Sequence, residues 1–369
     1  MTFCPYNRQI SAGGASGGEA ALLAAKGSPL GWGTDIAGSI RIPCALNNLF
    51  GLRPSFGRFP ASGIASTLTG LPIVNAVPGP MAADLESLAF LAKCIIDAGN
   101  WDHDHDIYCL PWRQDHYDSI TRRAEIDNPN NNERLRFAIM KDDGLVTPHP
   151  PIARALNIVE EALEDKGHEV IPWLPPPHLS AANILFQILG STAGQEIRTA
   201  IDASGEPPTD QLKSWYEDDE QGPSLTPEFW NLCHEREKYR KLYHSYWNST
   251  ANMTTTQRPV DGVIMPVTPT IGLNRAIPTS NYCAYTATPS LLDYTAVSFP
   301  VTFVDSSIDT QTEATLFGDF DQSVWETYRL DALDGSPVGL QVVCKRQEEE
   351  KVIALTKVIM QSLNNRKRK

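Results

Sequence analysis

A strand, a helix and a second strand follow one another over residues 135–173, and this order limits the fold more than any other feature. Residues 135–141 and 168–173 are short apolar runs that are typical of strands. Between them, apolar side chains recur at helical spacing, and Gly167 ends the helix. Two strands joined by a crossover helix pair in parallel. The pattern therefore predicts an α/β fold whose sheet is at least partly parallel.

Other elements extend this prediction along the chain. Helices are predicted over 18–26, over 85–96 with Asp84 as the N-cap, and from about 347 onward. Strands are predicted over 29–36, 260–266 and 337–343. The helix-rich, polar middle at 176–250 is interpreted as a subregion that covers the sheet. No linker divides the chain, so residues 1–369 are predicted to form one domain with a mixed sheet flanked by helices.

Composition excludes several classes of partner. The net charge of −13 argues against nucleic acid or an acidic membrane surface. No run of about 18 apolar residues exists, which excludes a membrane-spanning helix, and the first residues lack the pattern of a secretion signal. Seven cysteines without a CxxC spacing fit reduced thiols better than disulfides or zinc. A cytoplasmic protein is expected.

A glycine-rich run near the start of the chain is the strongest candidate for a functional site. Residues 13–43, GGASGGEAALLAAKGSPLGWGTDIAGSIRIP, contain eight of the 25 glycines. Neither the phosphate-loop pattern GxxxxGK[ST] nor the dinucleotide fingerprint GxGxxG occurs in it. Small residues do allow backbone amides to approach a reacting carbonyl closely, which suits a nucleophile at Ser39. A glycine-rich turn between packed elements is the alternative that spacing alone leaves open.

Several motifs together resemble those of the amidase signature family. The family pattern GGSSGG…GTDxGGSIRxP is matched by GGASGG at 13–18 and GTDIAGSIRIP at 33–43. Further matches are GLRPS at 51–55, GPMA at 79–82, DGVIMPVTP at 261–269, LDY at 292–294 and PVGLQ at 337–341. The resemblance covers nearly the whole chain. The Ile36-Ala37 variant and the segment WDHDHDIYCLPW at 101–112 are most similar to the fungal acetamidase-type branch.

The resemblance implies a three-layer α/β/α fold and a serine hydrolase of carboxamides that works through an acyl-enzyme, with no cofactor and no metal. Ser39 matches the nucleophile. The matching oxyanion-hole amides are those of Ile36, Ala37, Gly38 and Ser39. Residues Thr34, Asp35 and Arg41 match those that brace the loop, although Asp35 and Arg41 could instead form a plain structural ion pair. The expected partner is a small-molecule amide substrate.

Two departures from the family pattern put activity in question. The family uses a Ser–Ser–Lys triad, and its bridging serine is Ala15 here, so only Ser16 of the serine pair remains. Ser16 is expected to keep a supporting role rather than to relay a proton. The family lysine lies upstream of the glycine run, where this sequence has no lysine. The chain is therefore interpreted as an N-terminally truncated amidase with weak activity.

Three further alternatives remain open. The chain could be a catalytically silent relative that serves as a binding or scaffold protein, or a truncated gene product. A homo-oligomer or another partner could cover the region that the missing segment would occupy. Residues 102–106, DHDHD, invite a metal interpretation, but a solvated loop before a proline is the favoured one.

Overall fold

The computed structural model describes residues 2–124, 133–209, 212, 222–272, 282–310 and 316–366. One eight-stranded sheet runs through this part of the chain. Its strands are β1 Leu30–Asp35, β2 Phe50–Arg53, β3 Val77–Ala82, β4 Arg136–Ile139, β5 Glu169–Pro172, β6 Gly262–Pro266, β7 Ala296–Phe303 and β8 Pro337–Val343. They lie in the order β1-β3-β2-β7-β8-β6-β4-β5, so β1 and β5 form the two edges.

Twelve helices surround the sheet within the described residues. They are α1 Gly17–Ala24, α2 Arg41–Leu46, α3 Leu85–Asp97, α4 Gln114–Ala124, α5 Pro150–Glu164, α6 His178–Leu189, α7 Gln195–Ser204, α8 Thr226–Ser249, α9 Ala284–Leu292, α10 Asp319–Trp325, α11 Leu330–Leu333 and α12 Glu349–Arg366. The predicted N-cap of α3 is confirmed, because the Asp84 carboxylate accepts a hydrogen bond from the amide of Ser87 at 2.7 Å. Predicted and observed boundaries differ by a few residues at most.

The strands place alternate side chains on the two faces of the sheet, and this produces a three-layer α/β/α architecture. Phe137 and Ile139 of β4 belong to one core cluster, with apolar residues of α3, α5 and α12. Ala138, between them, belongs to a second cluster with residues of α6, α8 and α9. The two clusters lie on opposite faces of one sheet.

The predicted strand-helix-strand unit is confirmed. β4 and β5 pair in parallel, with Phe137 opposite Val170, and α5 connects them. β6 adds to β4 in parallel on the other side. The rest of the sheet is antiparallel, from β6 through β8, β7, β2 and β3 to β1. The sheet is therefore mixed, as predicted, and its antiparallel half carries the glycine-rich run.

The predicted covering subregion at 176–250 is helical where it is described. It contains α6, α7 and α8, while residues 210–211 and 213–221 lie outside the described residues. Tyr239, Tyr243 and Trp247 of α8 are buried against the sheet's second core cluster. Within the described part of the chain, every helix is too short or too polar to cross a lipid bilayer.

Three buried histidines make stability depend on pH. Burial lowers the pKa of His149 and of His168 to about 4, and that of His178 to about 3. An unfolded chain has ordinary histidine pKa values near 6.5. Below that pH the unfolded state therefore takes up protons that the folded state does not bind, and stability falls as pH falls from about 6.5 toward 4.

We expect each histidine to contribute at most about 1.4 kcal/mol per pH unit to this loss. Urea unfolding between pH 7.5 and pH 4.5 measures the loss directly. In His149→Gln the pH dependence should become shallower by about that amount. A matched variant, His105→Gln, removes an imidazole that is 89% exposed and should leave the slope unchanged. Equal slopes in all three proteins would contradict this assignment.

Candidate active site

The segment that contains Ser39 connects the edge strand β1 to the short helix α2. β1 ends at Asp35, and α2 begins at Arg41. Gly38 has a φ of +126°, a conformation that L side chains rarely adopt. A Cβ at this position would overlap Thr286 Oγ1 of α9 and lie 2.8 Å from Ile42 Cδ1. Glycine is therefore required for residues 36–40 to lie this close to α9. We call this segment the nucleophile loop, because the family resemblance makes Ser39 the candidate nucleophile.

A buried ion pair fixes the backbone conformation of the nucleophile loop. Asp35 and Arg41 are both fully buried and form a two-point contact, with Arg41 Nε and Nη2 each 2.9 Å from a carboxylate oxygen. The same carboxylate accepts the amides of Gly38 at 2.8 Å and Ile40 at 3.3 Å. Sequence analysis left open whether Asp35 and Arg41 support the loop or form a plain structural ion pair. Both descriptions apply, because the ion pair also fixes the backbone of the loop.

Arg41 also ties the loop to distant parts of the chain. Its Nη1 donates to Gln341 Oε1 of β8 at 3.0 Å. Its Nη2 donates to the Thr286 carbonyl and to Ser290 Oγ of α9, both at 2.9 Å. Gln341 in turn donates to the Pro266 carbonyl at 2.8 Å. Sequence analysis did not assign roles to Gln341, Thr286 or Ser290.

Electrostatics in this cluster favour the ionised carboxylate. Burial by itself would raise the pKa of Asp35, but the charge and hydrogen bonds of Arg41, with a further contribution from Arg53, outweigh it and lower the pKa. Asp35 is therefore a permanent anion at neutral pH. Its two oxygens accept hydrogen bonds from Arg41 and from the amides of Gly38 and Ile40.

Ser39 lies half-buried on the surface of this braced loop. Its hydroxyl makes no hydrogen bond to another described residue, while its carbonyl accepts the amide of Ser16 at 3.2 Å. Of the four amides predicted for the oxyanion hole, that of Gly38 is already bound to Asp35. The amides of Ile36, Ala37 and Ser39 make no hydrogen bond within the described part of the chain.

Ser16 and Thr34 are neighbours across the loop. Ser16 Oγ accepts the Thr34 amide at 3.3 Å and lies 3.5 Å from the Thr34 carbonyl. Ala15, beside it, is exposed and has only a methyl group. The Ser16 hydroxyl is thus directed to β1, and its hydrogen bonds do not reach Ser39 Oγ.

A cavity of about 600 Å³ opens beside Ser16 at the edge of the sheet. Its lining includes Ala15, Ser16, Thr34, Trp32 and Ile64. The side chains of Trp32 and Ile64 are 42% and 45% exposed, respectively. Among the described strands, none pairs with the outer edge of β1. An apolar, unpaired strand edge therefore borders the candidate site.

The DHDHD segment has an identifiable structural role. Asp104 is buried, and its carboxylate accepts the amides of Ala61, Ser62 and Asp106 at 2.8 to 3.0 Å. No grouping of metal-ligating side chains occurs in the residues that the structure describes. Asp104 thus holds two loops together.

Comparison with known proteins identifies the family to which this chain belongs. The fold and the sequence of the nucleophile loop are those of amidases, and the chain belongs to the Amidase family, whose profile matches residues 1–353. The chain is 33% identical to an acetamidase of Emericella nidulans over 99% of its own length and 65% of that protein's length. It is 34% identical to Amidase 1 of Gibberella moniliformis, of which it spans 67%.

Solved structures agree with this assignment. A fatty acid amide hydrolase superposes with a TM-score of 0.86 at 30% identity, and the match covers 98% of this chain and 61% of that one. A 6-aminohexanoate cyclic dimer hydrolase, 21% identical, shares the fold with a TM-score of 0.70 over 70% of its length. The chain thus spans about two thirds of the length of the proteins it resembles.

Proposed function

We propose that this protein is an amidase-type serine hydrolase that cleaves a carboxamide at Ser39. The observation that carries the proposal is the placement of Ser39 on a loop whose backbone is fixed by the buried Asp35–Arg41 pair. The amides of Ile36, Ala37 and Ser39 remain as candidate donors to an oxyanion. A donor that is fixed before the reaction stabilises developing charge without reorganisation.

The proposed reaction has two stages. Ser39 Oγ attacks the carbonyl carbon, its proton passes to a base, and the tetrahedral oxyanion collapses as the C–N bond breaks. Ammonia or an amine leaves with a proton, and an ester to Ser39 remains. Water then adds to this ester, which releases a carboxylic acid and restores the Ser39 hydroxyl. The names of the relatives favour a small or hydrophobic acyl group.

We propose that residues 1–369 alone are weakly active. Within the described residues, no lysine, histidine or carboxylate side chain hydrogen-bonds to Ser39 or to Ser16, and Ala15 cannot relay a proton. A positioned general base typically contributes about 10² to 10⁴ in rate. Without a general base, an oxyanion hole and substrate binding still accelerate the reaction about 10³- to 10⁴-fold over the reaction in water.

We further propose that a polypeptide covers the unpaired edge of β1, either a second copy of this chain, another partner or a further segment of the same protein. Support comes from the exposed Trp32 and Ile64 and from the cavity beside Ser16. A base delivered into that cavity would lie next to the loop. A reducing, cytoplasmic location is proposed because all seven cysteines are free thiols.

A fluorophosphonate probe tests the proposed nucleophile. We expect slow labelling of the wild-type protein and none of Ser39→Ala, because only an activated serine hydroxyl attacks the phosphorus atom. Ser28→Ala is the matched control, since Ser28 lies in the same glycine-rich run and donates to the Leu30 carbonyl. Intact-protein mass spectrometry measures the modified fraction over time.

The outcomes separate the proposal from its alternative. Labelling that persists in Ser39→Ala would assign the reactive group to another residue. No labelling of any variant would favour the second candidate, a catalytically silent binding or scaffold protein, which the replacement of the bridging serine by Ala15 supports.

A further inference from the structure

A second cavity, of about 220 Å³, lies apart from the nucleophile loop and is rich in arginine. Four arginines contribute to its lining: Arg53 from β2, Arg236 and Arg240 from α8, and Arg346 after β8. Asp293, which follows α9, is the single carboxylate that lines it among the described residues. Four guanidinium groups around one small space repel each other unless negative charge balances them.

The carboxylates near this cavity do not fully balance the positive charge of its four arginines. Asp293 is 2.7 Å from Arg346 Nε and 3.5 Å from Arg53 Nη2, and it also accepts the Phe56 amide at 2.9 Å. Arg240 forms its ion pair with Glu237 at 3.1 Å. Arg236 donates from Nε to the Leu291 carbonyl at 3.0 Å but forms no ion pair within the described part of the chain. Within the described residues, two carboxylates thus form ion pairs with these four arginines, and Asp35, itself paired with Arg41, also attracts Arg53.

Arg53 supplies an independent observation. Only 1% of this residue is exposed, and its Nη1 donates to the Tyr294 carbonyl at 2.7 Å. Its Nε is buried and has no hydrogen-bond partner among the described residues. A buried donor without an acceptor is costly, and native structures rarely leave one unsatisfied. Arg53 also lines the cavity, so an acceptor bound there is one way to satisfy this N–H group.

The protonation of Arg236 reflects the same surplus of positive charge. Burial and the neighbouring charge of Arg240 lower the pKa of Arg236 to about 10. Arg236 is still a cation at neutral pH, and the nearby charges of Asp293 and Glu237 offset the effect of burial only in part.

We propose that this cavity binds a small oxyanion, phosphate or carboxylate in chemistry, between Arg53, Arg236 and Arg346. Guanidinium groups match both ligands through paired N–H donors. The volume of about 220 Å³ accommodates an ion of phosphate size with a few waters. The site does not depend on Ser39, and it would exist in an active or a silent protein.

One side chain lies between this cavity and the nucleophile loop. Ser290 lines the cavity and accepts the hydrogen bond from Arg41 Nη2 at 2.9 Å. Arg53 is also close enough to Asp35 to lower its pKa. The cavity is therefore adjacent to the ion pair that fixes the loop.

Isothermal titration calorimetry of the full chain with inorganic phosphate and, separately, with acetate tests the proposal. Ionic strength is held constant with sodium chloride, so that general screening does not change. We expect saturable binding at one site. Arg236→Gln should weaken it by at least about tenfold, because a hydrogen bond to a charged group contributes about 1.5–3 kcal/mol.

Lys238→Gln is the matched control, since it removes one positive charge from the same helix at an exposed position and should leave affinity unchanged. Far-UV circular dichroism checks folding, and Arg346→Gln replaces Arg236→Gln should the latter unfold. Tighter binding of phosphate identifies a phosphate site, and tighter binding of acetate identifies a carboxylate site. No saturable binding of either anion, or equal weakening by Lys238→Gln, overturns the proposal.

Discussion

Replacing Asp35 by asparagine is expected to lower the free energy of unfolding by about 3–5 kcal/mol, because it leaves the fully buried guanidinium of Arg41 without its counter-charge. The carboxylate also accepts the amides of Gly38 and Ile40, and one amide oxygen cannot replace all of these contacts. Urea unfolding at pH 7.5, followed by circular dichroism, measures the difference.

Asp97→Asn provides the comparison for this variant. Asp97 pairs with Lys93 on an exposed helix face, where an ion pair contributes only about 0–1 kcal/mol. Similar losses in the two variants would show that burial of the Asp35–Arg41 pair does not matter.

The same pair predicts how stability responds to acid. The folded pKa of Asp35 lies below its usual value near 4, so the ionised carboxylate stabilises the fold above that value. This contribution is lost as pH falls further, through the folded pKa. In Asp35→Asn the decline below about pH 4 should therefore be shallower than in the wild-type protein.

Replacing Gly38 by alanine is expected to slow fluorophosphonate labelling of Ser39 by about 100-fold, since a displacement of about 1 Å in a reacting group can have that effect. The new Cβ would overlap Thr286 Oγ1, which holds the Ala37 carbonyl at 2.5 Å. The loop must shift away from α9, and the amides of Ile36 and Ala37 shift with it.

Gly63→Ala is the control that separates backbone strain at a positive φ from displacement of the nucleophile loop. Gly63 has a φ of +83°, and a Cβ there would meet no atom within 4 Å. This variant carries a backbone penalty of about 1–2 kcal/mol but should label at the wild-type rate. Unchanged labelling in Gly38→Ala would mean that the geometry of residues 36–40 does not control Ser39.

The parallel half of the sheet could be predicted because each of its elements has one clear period. The strands β4 and β5 each consist of one charged residue followed by three apolar residues, and α5 presents one apolar face before the chain reaches Gly167. The antiparallel strands β3 and β7 were not predicted, because prolines interrupt both. Pro300 lies where the register between β7 and β8 shifts, a place where a missing amide is tolerated.

The prolines of β3 have a similar explanation. β2 pairs only with Met81 and Ala82, so Pro78 and Pro80 precede the part of β3 that this ladder uses, although both prolines lie in register with β1 on the other side. Gly79 between them is packed so closely against Leu52 that no Cβ would fit. Neither arrangement has a local sequence signal, because both depend on a neighbouring strand.

In the candidate site, too, contacts between residues close in sequence could be predicted, whereas contacts between distant residues could not. Residues close in sequence, such as Asp35 and Arg41, could be assigned from one motif. Gln341 and Ser290 contact Arg41 from roughly 250 to 300 positions away, and their roles could not be read from spacing. Both are buried polar residues near matched motifs, which was the available signal.

The contact of Arg41 with Gln341 has a consequence for biosynthesis. The two residues are 300 positions apart, and β8 supplies the second of them. A ribosome adds about 5–20 residues per second, so roughly 15–60 seconds separate the two syntheses. The nascent chain must carry an incompletely tethered nucleophile loop during this time. Assembly of the loop that carries Ser39 is thus delayed until residue 341 has been synthesised, so a chain that terminates earlier lacks this contact.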